Sequence, residues 1–220
     1  MFDSQLGTWI SAKLKASNFS TDNVGLQLFG EALGNDLNRI EKEIDKLKIV
    51  LTKGTIHSLI NNAANDERHT TQDVDEKYYE NRMSINLKHY FFAAQEVVKG
   101  MKKIKNGSIV NLSSVSWVLG EGDKVIYETA KSGVIGLTRS FAQEYGKYNI
   151  RTNSVVPGSI ATERQIKYWL KPKYKKQILE KQALKRQLKP EDVARLVLFL
   201  SSDQSSGCTK QSFVVDAGIT

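Results

Sequence analysis

The sequence predicts an α/β fold: a doubly wound parallel sheet with helices on both faces. Three observations carry that prediction. From about residue 50 onward, short apolar runs alternate with long amphipathic stretches. Several of the runs stop at a turn signal such as N-N-A-A, P-G or D-A-G. The stretches between them are long enough to return the chain across a sheet, as parallel strands require.

The elements follow in order. Ile56–Ile60 is a short apolar run ending in N-N-A-A, which predicts a buried strand entering a turn. Across Tyr78–Lys103, Met83, Leu87, Tyr90, Phe91, Ala94, Val97, Val98 and Met101 recur at spacings of three and four, which predicts one long helix. Gly107 opens a new segment, and Ser108–Leu112 is the second strand candidate. Tyr127–Tyr148 is helical again, with Val134, Leu137 and Phe141 on its apolar face. Ile150–Val156 is a third strand, stopped by Pro157-Gly158. Glu191–Ser201 is a helix placed just after Pro190, where proline suits a helix start. Phe213–Val215 is a last short strand. Upstream, Leu6–Ala16 permits a helix and Val24–Leu33 is ambiguous. Asp36–Ile49 is amphipathic, with Leu37, Ile40, Ile44 and Leu47 on one face, and Asn35 or Asp36 can cap it.

Composition bounds the function classes. The chain has 220 residues, 40% of them hydrophobic, 25% charged and 9% aromatic. That suits a single domain spanning 1–220 with a sizeable core, and excludes disorder as the main state. Cys208 is the one cysteine, so no intrachain disulfide forms and a reducing, cytoplasmic setting is expected. No run of about 18 apolar residues exists to span a membrane. The first residues show no secretory signal pattern. Net charge is +8, and the whole excess falls between Lys167 and Lys189, where nine Lys or Arg meet one acid, Glu180. Such a stretch fits a nucleic-acid surface, or a neutral domain with one basic helical insertion.

The local chemistry centres on Ser114, Tyr127 and Lys131. Tyr127 and Lys131 lie four apart on a predicted helix and share a face. A tyrosine with an ordinary pKa near 10 is a poor base at neutral pH, and a nearby ammonium favours its phenolate. Such a pair suits moving a proton on or off an alcohol oxygen. Ser114 follows a strand, where a parallel sheet gathers its ligands. Taken alone, Tyr-x-x-x-Lys more often marks an ordinary helix surface. Small residues in Asn61-Asn62-Ala63-Ala64 let backbone approach a ligand, or form a plain turn. Asn86 is a polar amide inside an apolar helix and needs partners there, unless it faces solvent. Ser159, Ile160, Ala161 and Thr162 follow Pro157-Gly158 and offer backbone and hydroxyl groups to a cofactor, or simply end the strand.

In this order and spacing, these residues resemble the short-chain dehydrogenase/reductase family of classical type, over about residues 35–220. N-N-A-A is similar to that family's N-N-A-G turn. Asn86, Ser114, Tyr127 and Lys131 match its catalytic tetrad, and P-G-S-I-A-T matches its nicotinamide segment. The resemblance implies a Rossmann-like sheet and a role for each residue. Tyr127 is then the general base in oxidation. Lys131 lowers its pKa and holds the nicotinamide ribose. Ser114 orients the substrate oxygen, and Asn86 holds a water in a proton relay with Lys131. Asp36 and Leu37 contact the adenine, Asn62 and Ala63 line the cofactor, and Pro157, Gly158, Ile160 and Thr162 form the nicotinamide segment, with Ile160 and Thr162 at the carboxamide. The implied cofactor is NAD or NADP, with NAD slightly favoured.

N-N-A-A-N-D-E-R-H, I-Y-E-T-A-K-S-G and T-E-R-Q are, more narrowly, similar to sugar 1-dehydrogenases acting on xylose, arabinose or galactose. That likeness makes Asn65, Asp66, His69, Trp117, Glu121, Gln165 and Trp169 candidate sugar contacts, since polar groups plus an aromatic face suit a polyol. His69 and Asp66 equally fit an exposed loop, and the two tryptophans equally fit packing. No metal site is expected. A small sugar or alcohol substrate is implied, with a homodimer or homotetramer through helices 86–103 and 127–148.

The departure from the family lies at the start. Its first strand and glycine-rich phosphate turn T-G-x-x-x-G-x-G have no match, because Gly25, Gly30 and Gly34 have the wrong spacing. The first strand is therefore expected to be absent or degraded, residues 1–35 to be atypical, and a truncated, non-catalytic scaffold stays open as the second reading. Residues 163–189 fall where the family has its substrate lid. The basic stretch is accordingly read as a solvated lid, and neither nucleic acid nor a membrane is expected as a partner.

Overall fold

A computed structural model describes Ala12, Lys15 and residues 55–220. Ala12 and Lys15 are helical, within the helix expected over Leu6–Ala16. The remainder of that helix, the Asp36–Ile49 stretch with Asp36 and Leu37, and the region of the first strand lie outside the described residues. The chain divides into two compact units, Met1–Ile56 and His57–Thr220. The sheet and the candidate site belong to the second.

Four strands form a parallel sheet in the order β1 (Ser58–Asn61), β2 (Gly107–Leu112), β3 (Ile150–Pro157) and β4 (Ser212–Val215). All six residues of β2 are buried, as a parallel strand covered on both faces requires. One face of the sheet packs on helix α7 (Pro190–Ser201). There Val110, Leu112, Val155 and Leu200 form a cluster joined by Val193, Leu196 and Val197. Burying each such side chain is worth roughly 1.5–3 kcal/mol. Ser108 Oγ donates to Leu200 O on the same side at 2.8 Å.

The other face is covered by α4 (Val125–Tyr145), and its core is partly polar. Asn61 pairs in register with Asn111. The Asn61 Nδ2 donates to Asn111 Oδ1 at 2.9 Å, and Asn111 Nδ2 donates to Thr138 Oγ1 at 3.0 Å. Thr138 Oγ1 then donates to Val134 O at 2.8 Å. This chain of amides and a hydroxyl ties two strands to α4 through groups that are all but sealed from water.

The long helix expected over Tyr78–Lys103 is instead two. These are α1 (Glu76–Met83), whose first turn Asp75 caps by accepting from Tyr78 N at 2.7 Å, and α2 (His89–Ile104). Between them Ser84–Lys88 is a π-helical turn with buried Asn86 inside it. A wide turn of this kind reroutes the helical hydrogen bonds and is common at functional sites. A short helix, α3 (Ser116–Leu119), follows β2 and was not foreseen from the sequence. Helix α4 closes in a 3-10 turn at Gly146–Tyr148, with Asn149 left-handed at φ 57°.

The basic stretch carries α5 (Glu163–Tyr168) and α6 (Pro172–Lys181). All nine of its cations are exposed, in keeping with a solvated face. Its far end is fixed by a parallel bridge between Ile160 and Leu188 and by Leu184 N donating to Ala217 O at 2.9 Å. No helix among the described residues is long and apolar enough to cross a membrane.

Candidate active site

The C-terminal ends of β1, β2 and β3 open on one cleft of about 300 Å³. Such an end is where an open parallel sheet gathers ligands. Ser114 and Tyr127 both line it. Ser114 leaves the end of β2 in a loop pinned to β3, with Ser113 N donating to Val155 O at 2.8 Å and Val115 N to Pro157 O at 3.0 Å. Its Oγ accepts from Ser116 N at 3.2 Å and from Ser116 Oγ at 3.0 Å, which aims the hydroxyl. Tyr127 sits in the first turn of α4, which Ser113 Oγ anchors by donating to Lys131 O at 2.7 Å.

Lys131 lies one turn below, 1% exposed. Its Nζ stands 5.6 Å from the centre of the Tyr127 ring. It donates to Tyr90 OH at 2.8 Å and to Leu112 O at 2.7 Å. Burial lowers its pKa from the ordinary lysine value, while its two acceptors, the Tyr90 hydroxyl and the Leu112 carbonyl, favour the ammonium. Burial pushes the Tyr127 phenol up to about 12, while the adjoining Ser114 hydroxyl and the charges of Arg68 and Arg164 work downward. Burial thus works against both charged forms, the phenolate and the ammonium.

Asn86 is fixed by the loop that follows β1. Its Oδ1 accepts from Asn65 N at 2.8 Å and its Nδ2 donates to Asn65 O at 3.1 Å. Both ends of the carboxamide therefore clasp the loop that follows β1. In that loop Asn62 lines the cleft while Ala63 is exposed to one side.

The P-G-S-I-A-T segment after β3 reaches the same place. Gly158, Ile160 and Thr162 line the cleft. Thr162 is also the cap of α5, its hydroxyl accepting from Gln165 N at 3.2 Å. Asn62, Ile160 and Thr162 are shared with an adjoining apolar hollow of about 370 Å³, walled by Leu112, Pro157 and Val197.

The sugar-contact candidates divide. Asp66, Glu121 and Gln165 line the cleft. Asn65, His69, Trp117 and Trp169 do not. His69 is engaged by the backbone: Nδ1 bonds Glu67 O at 3.2 Å, and Nε2 accepts from Ile126 N, in the first turn of α4, at 3.4 Å. Trp117 is 39% exposed. Trp169 lies under the Arg68 guanidinium, 4.9 Å away. The sequence reading missed the cations of the wall, Arg68, Lys124 and Arg164, as well as Tyr174. The R of N-D-E-R-H and the R of T-E-R-Q were the available signals.

One of those cations latches across the cleft wall. Arg164, on α5, pairs with Asp66, and Gln165 Nε2 donates to the other oxygen of the same carboxylate at 2.7 Å. Burial opposes ionisation of Asp66, but the Arg164 and Gln165 bonds outweigh it and hold its pKa below the usual 3.8. A carboxylate depressed on folding stabilises fully above its unfolded value and loses that contribution as pH falls through the folded one. Substituting Asp66→Ala is therefore expected to raise amide hydrogen exchange in α5 about fivefold at neutral pH, as for the loss of about 1 kcal/mol. The unmodified chain is expected to show the same rise only below about pH 4. Equal exchange in both proteins at neutral pH would show that the latch contributes nothing.

The family model described as enoyl-(acyl carrier protein) reductase matches residues 35–220. The chain belongs to the short-chain dehydrogenase/reductase family. A D-xylose 1-dehydrogenase of Caulobacter vibrioides is 43% identical over 197 residues, covering 87% of this chain and 79% of that one. A Rhizobium meliloti protein named "Probable galactose dehydrogenase GalD" is 42% identical over 166 residues, covering 76% and 65%. Among solved structures, 4-hydroxyisoleucine dehydrogenase complexed with NADH superposes with a TM-score of 0.69 at 32% identity, covering 83% of this chain and 76% of that one. As a short-chain dehydrogenase/reductase the chain is an oxidoreductase, and its parallel sheet is the Rossmann-like sheet of its relatives.

Proposed function

We propose that this short-chain dehydrogenase/reductase uses NAD or NADP to oxidise a cyclic aldose at its anomeric carbon, yielding the lactone, with Tyr127 as general base. The observation that carries the proposal is the convergence of Ser114 and Tyr127 on one polar cleft, with Lys131 buried beneath Tyr127. The sugar is favoured by the xylose and galactose names of the relatives and by Asp66, Glu121 and Gln165 on the cleft wall. A flat ring with a carboxamide edge fits the adjoining hollow, whose walls are apolar and whose shared rim is Asn62, Ile160 and Thr162. When bound there, the nicotinamide supplies the hydride acceptor.

The chain's own residues supply the proton chemistry. The Ser114 hydroxyl donates to the substrate oxygen and orients it toward Tyr127. The Tyr127 phenolate takes the hydroxyl proton as the carbon–hydrogen bond gives up its electron pair. The Lys131 ammonium stabilises that phenolate. Asn86 acts through Asn65, fixing the loop that carries Asn62. Lid helices α5 and α6 close over the sugar. Exposed Phe91 and Phe92 on α2 support packing against a second copy along that helix, which sedimentation measures.

The test is titration with NAD and NADP followed by nicotinamide fluorescence, then reduction of the bound form by D-xylose, L-arabinose and D-galactose. Saturation by one nucleotide and turnover of at least one aldose are expected. If neither nucleotide binds at millimolar levels, the enzyme reading is overturned in favour of a non-catalytic homologue. The phenol also gives a pH signature. Because Tyr127 must lose its proton for oxidation and hold it for reduction, and because burial raises its pKa toward about 12, oxidation is expected to climb through the alkaline range while lactone reduction falls. Parallel pH profiles in the two directions would remove Tyr127 from the proton step.

A further inference from the structure

We propose that Tyr90 is a positioning residue for the reaction, holding the Lys131 side-chain nitrogen in place beneath Tyr127. The proposal rests on the reading of Tyr127 as base and Lys131 as its partner. A lysine is almost never fully buried unless it is paired. Lys131 is 1% exposed and Tyr90 is 0% exposed. Among the described residues no carboxylate pairs with Lys131; its partners are the Tyr90 hydroxyl at 2.8 Å and the Leu112 carbonyl at 2.7 Å. Tyr90 donates its own hydroxyl proton to that same carbonyl, at 2.8 Å. The three groups close a triangle.

The triangle fixes the direction of every bond. A phenol has one proton, and here it is committed to Leu112 O, so toward Lys131 the oxygen is an acceptor. That suits an ammonium, which only donates. The nitrogen lies 5.1 Å from the Tyr90 ring centre and 5.6 Å from that of Tyr127, between two phenols on two helices. With the Tyr90 oxygen removed, Leu112 O is the one fixed acceptor left, and the amine swings about it. The surrounding groups do not replace the lost contact. His89, the neighbour on α2, is held neutral by burial and by Lys131, its pKa down to about 4. Asp66, Arg68 and Arg164 act on Tyr127 from the cleft side. Nothing in the Tyr-x-x-x-Lys spacing pointed to Tyr90, which is read from the sequence as one more apolar position of a helix.

The test is Tyr90→Phe, which keeps the ring and removes the oxygen. A less firmly held ammonium stabilises the Tyr127 phenolate less, so the alkaline climb of oxidation is expected to move up by about one pH unit. The same change lowers kcat near neutral pH by about tenfold, while the KM for sugar stays within about twofold. A purely structural role lowers activity without moving the pH profile, so a folded Tyr90→Phe variant with the unaltered profile overturns the proposal. A readout free of turnover is the double-mutant cycle with Lys131→Met. The loss of Tm caused by Tyr90→Phe is expected to shrink at least twofold when Lys131 is already methionine, and equal losses in both backgrounds overturn the contact. Tyr127→Phe separates the two readings. If it is inactive while Tyr90→Phe keeps the parent pH profile, only the Tyr90 proposal fails. If Tyr127→Phe is active, the base reading fails and the proposal falls with it.

Discussion

Replacing Tyr127 with phenylalanine is expected to lower kcat for sugar oxidation by about 10²–10⁴-fold, the range a lost general base commands. The substitution removes one oxygen and keeps the ring that stacks over Lys131, 5.6 Å from its nitrogen. Nucleotide affinity and Tm are therefore expected to stay near those of the parent protein. The KM for sugar is expected to change little, because Ser114, Asp66 and Gln165 still face the cleft. The measurement is steady-state kinetics beside nucleotide titration and thermal melting of the same preparation. A variant that keeps a third or more of the parent kcat while folding normally would move the proton step to another residue.

The largest expected effect on stability lies away from the cleft. Asn111→Ala breaks the polar ladder in the middle of the sheet. Asn111 is 0% exposed and bonds Asn61 on one side and Thr138 on the other. Thr138 still donates to Val134 O after the change, but the Asn61 amide is left buried without its partner. An unsatisfied buried polar group costs about 1–3 kcal/mol, and the small void adds to it, so a loss of about 2–4 kcal/mol is expected. In a domain of this size that lowers Tm by roughly 5–15 °C. Urea unfolding should give a lower midpoint at unchanged slope, since the surface exposed on unfolding is the same. A shift of only a degree or two would mean that water reaches the ladder and satisfies Asn61.

The parts of the fold that were legible in the sequence are those governed by local pattern. Ser108–Leu112 was visible as a strand because Ile109, Val110 and Leu112 form a short segment opened by Gly107, and the strand observed is Gly107–Leu112, buried throughout as one covered on both faces must be. The position of Pro190 at a helix start was visible because proline's fixed φ and missing N–H suit that place alone. The break between α1 and α2 was not. Met83, Leu87, Tyr90 and Phe91 keep a helical spacing whether the turn between them is α or π, so periodicity does not register the wider turn. In the candidate site, Ser114, Tyr127 and Lys131 were legible because their spacing is local. The latch of Asp66 to Arg164 spans nearly a hundred residues and depends on where two loops meet. The engagement of His69 with Glu67 O and Ile126 N is likewise invisible until α4 is in place, and it makes a backbone brace of a residue that looked like a sugar contact.

The π turn at Ser84–Lys88 acts as a phase offset between two helices that would otherwise share one register. Each residue of an α-helix advances the direction of its side chain by about 100°. The offset lets Asn86 face the loop after β1 while Tyr90, four residues on, faces Lys131. Deleting a single residue such as Leu87 would let an ordinary helix run through, with its hydrogen bonds unbroken and its length barely changed. It would also turn one of those two side chains away from its partner by about that angle. This stretch therefore tolerates substitution at its exposed positions far better than any change in residue number, so insertions and deletions here are expected to be much scarcer than point changes.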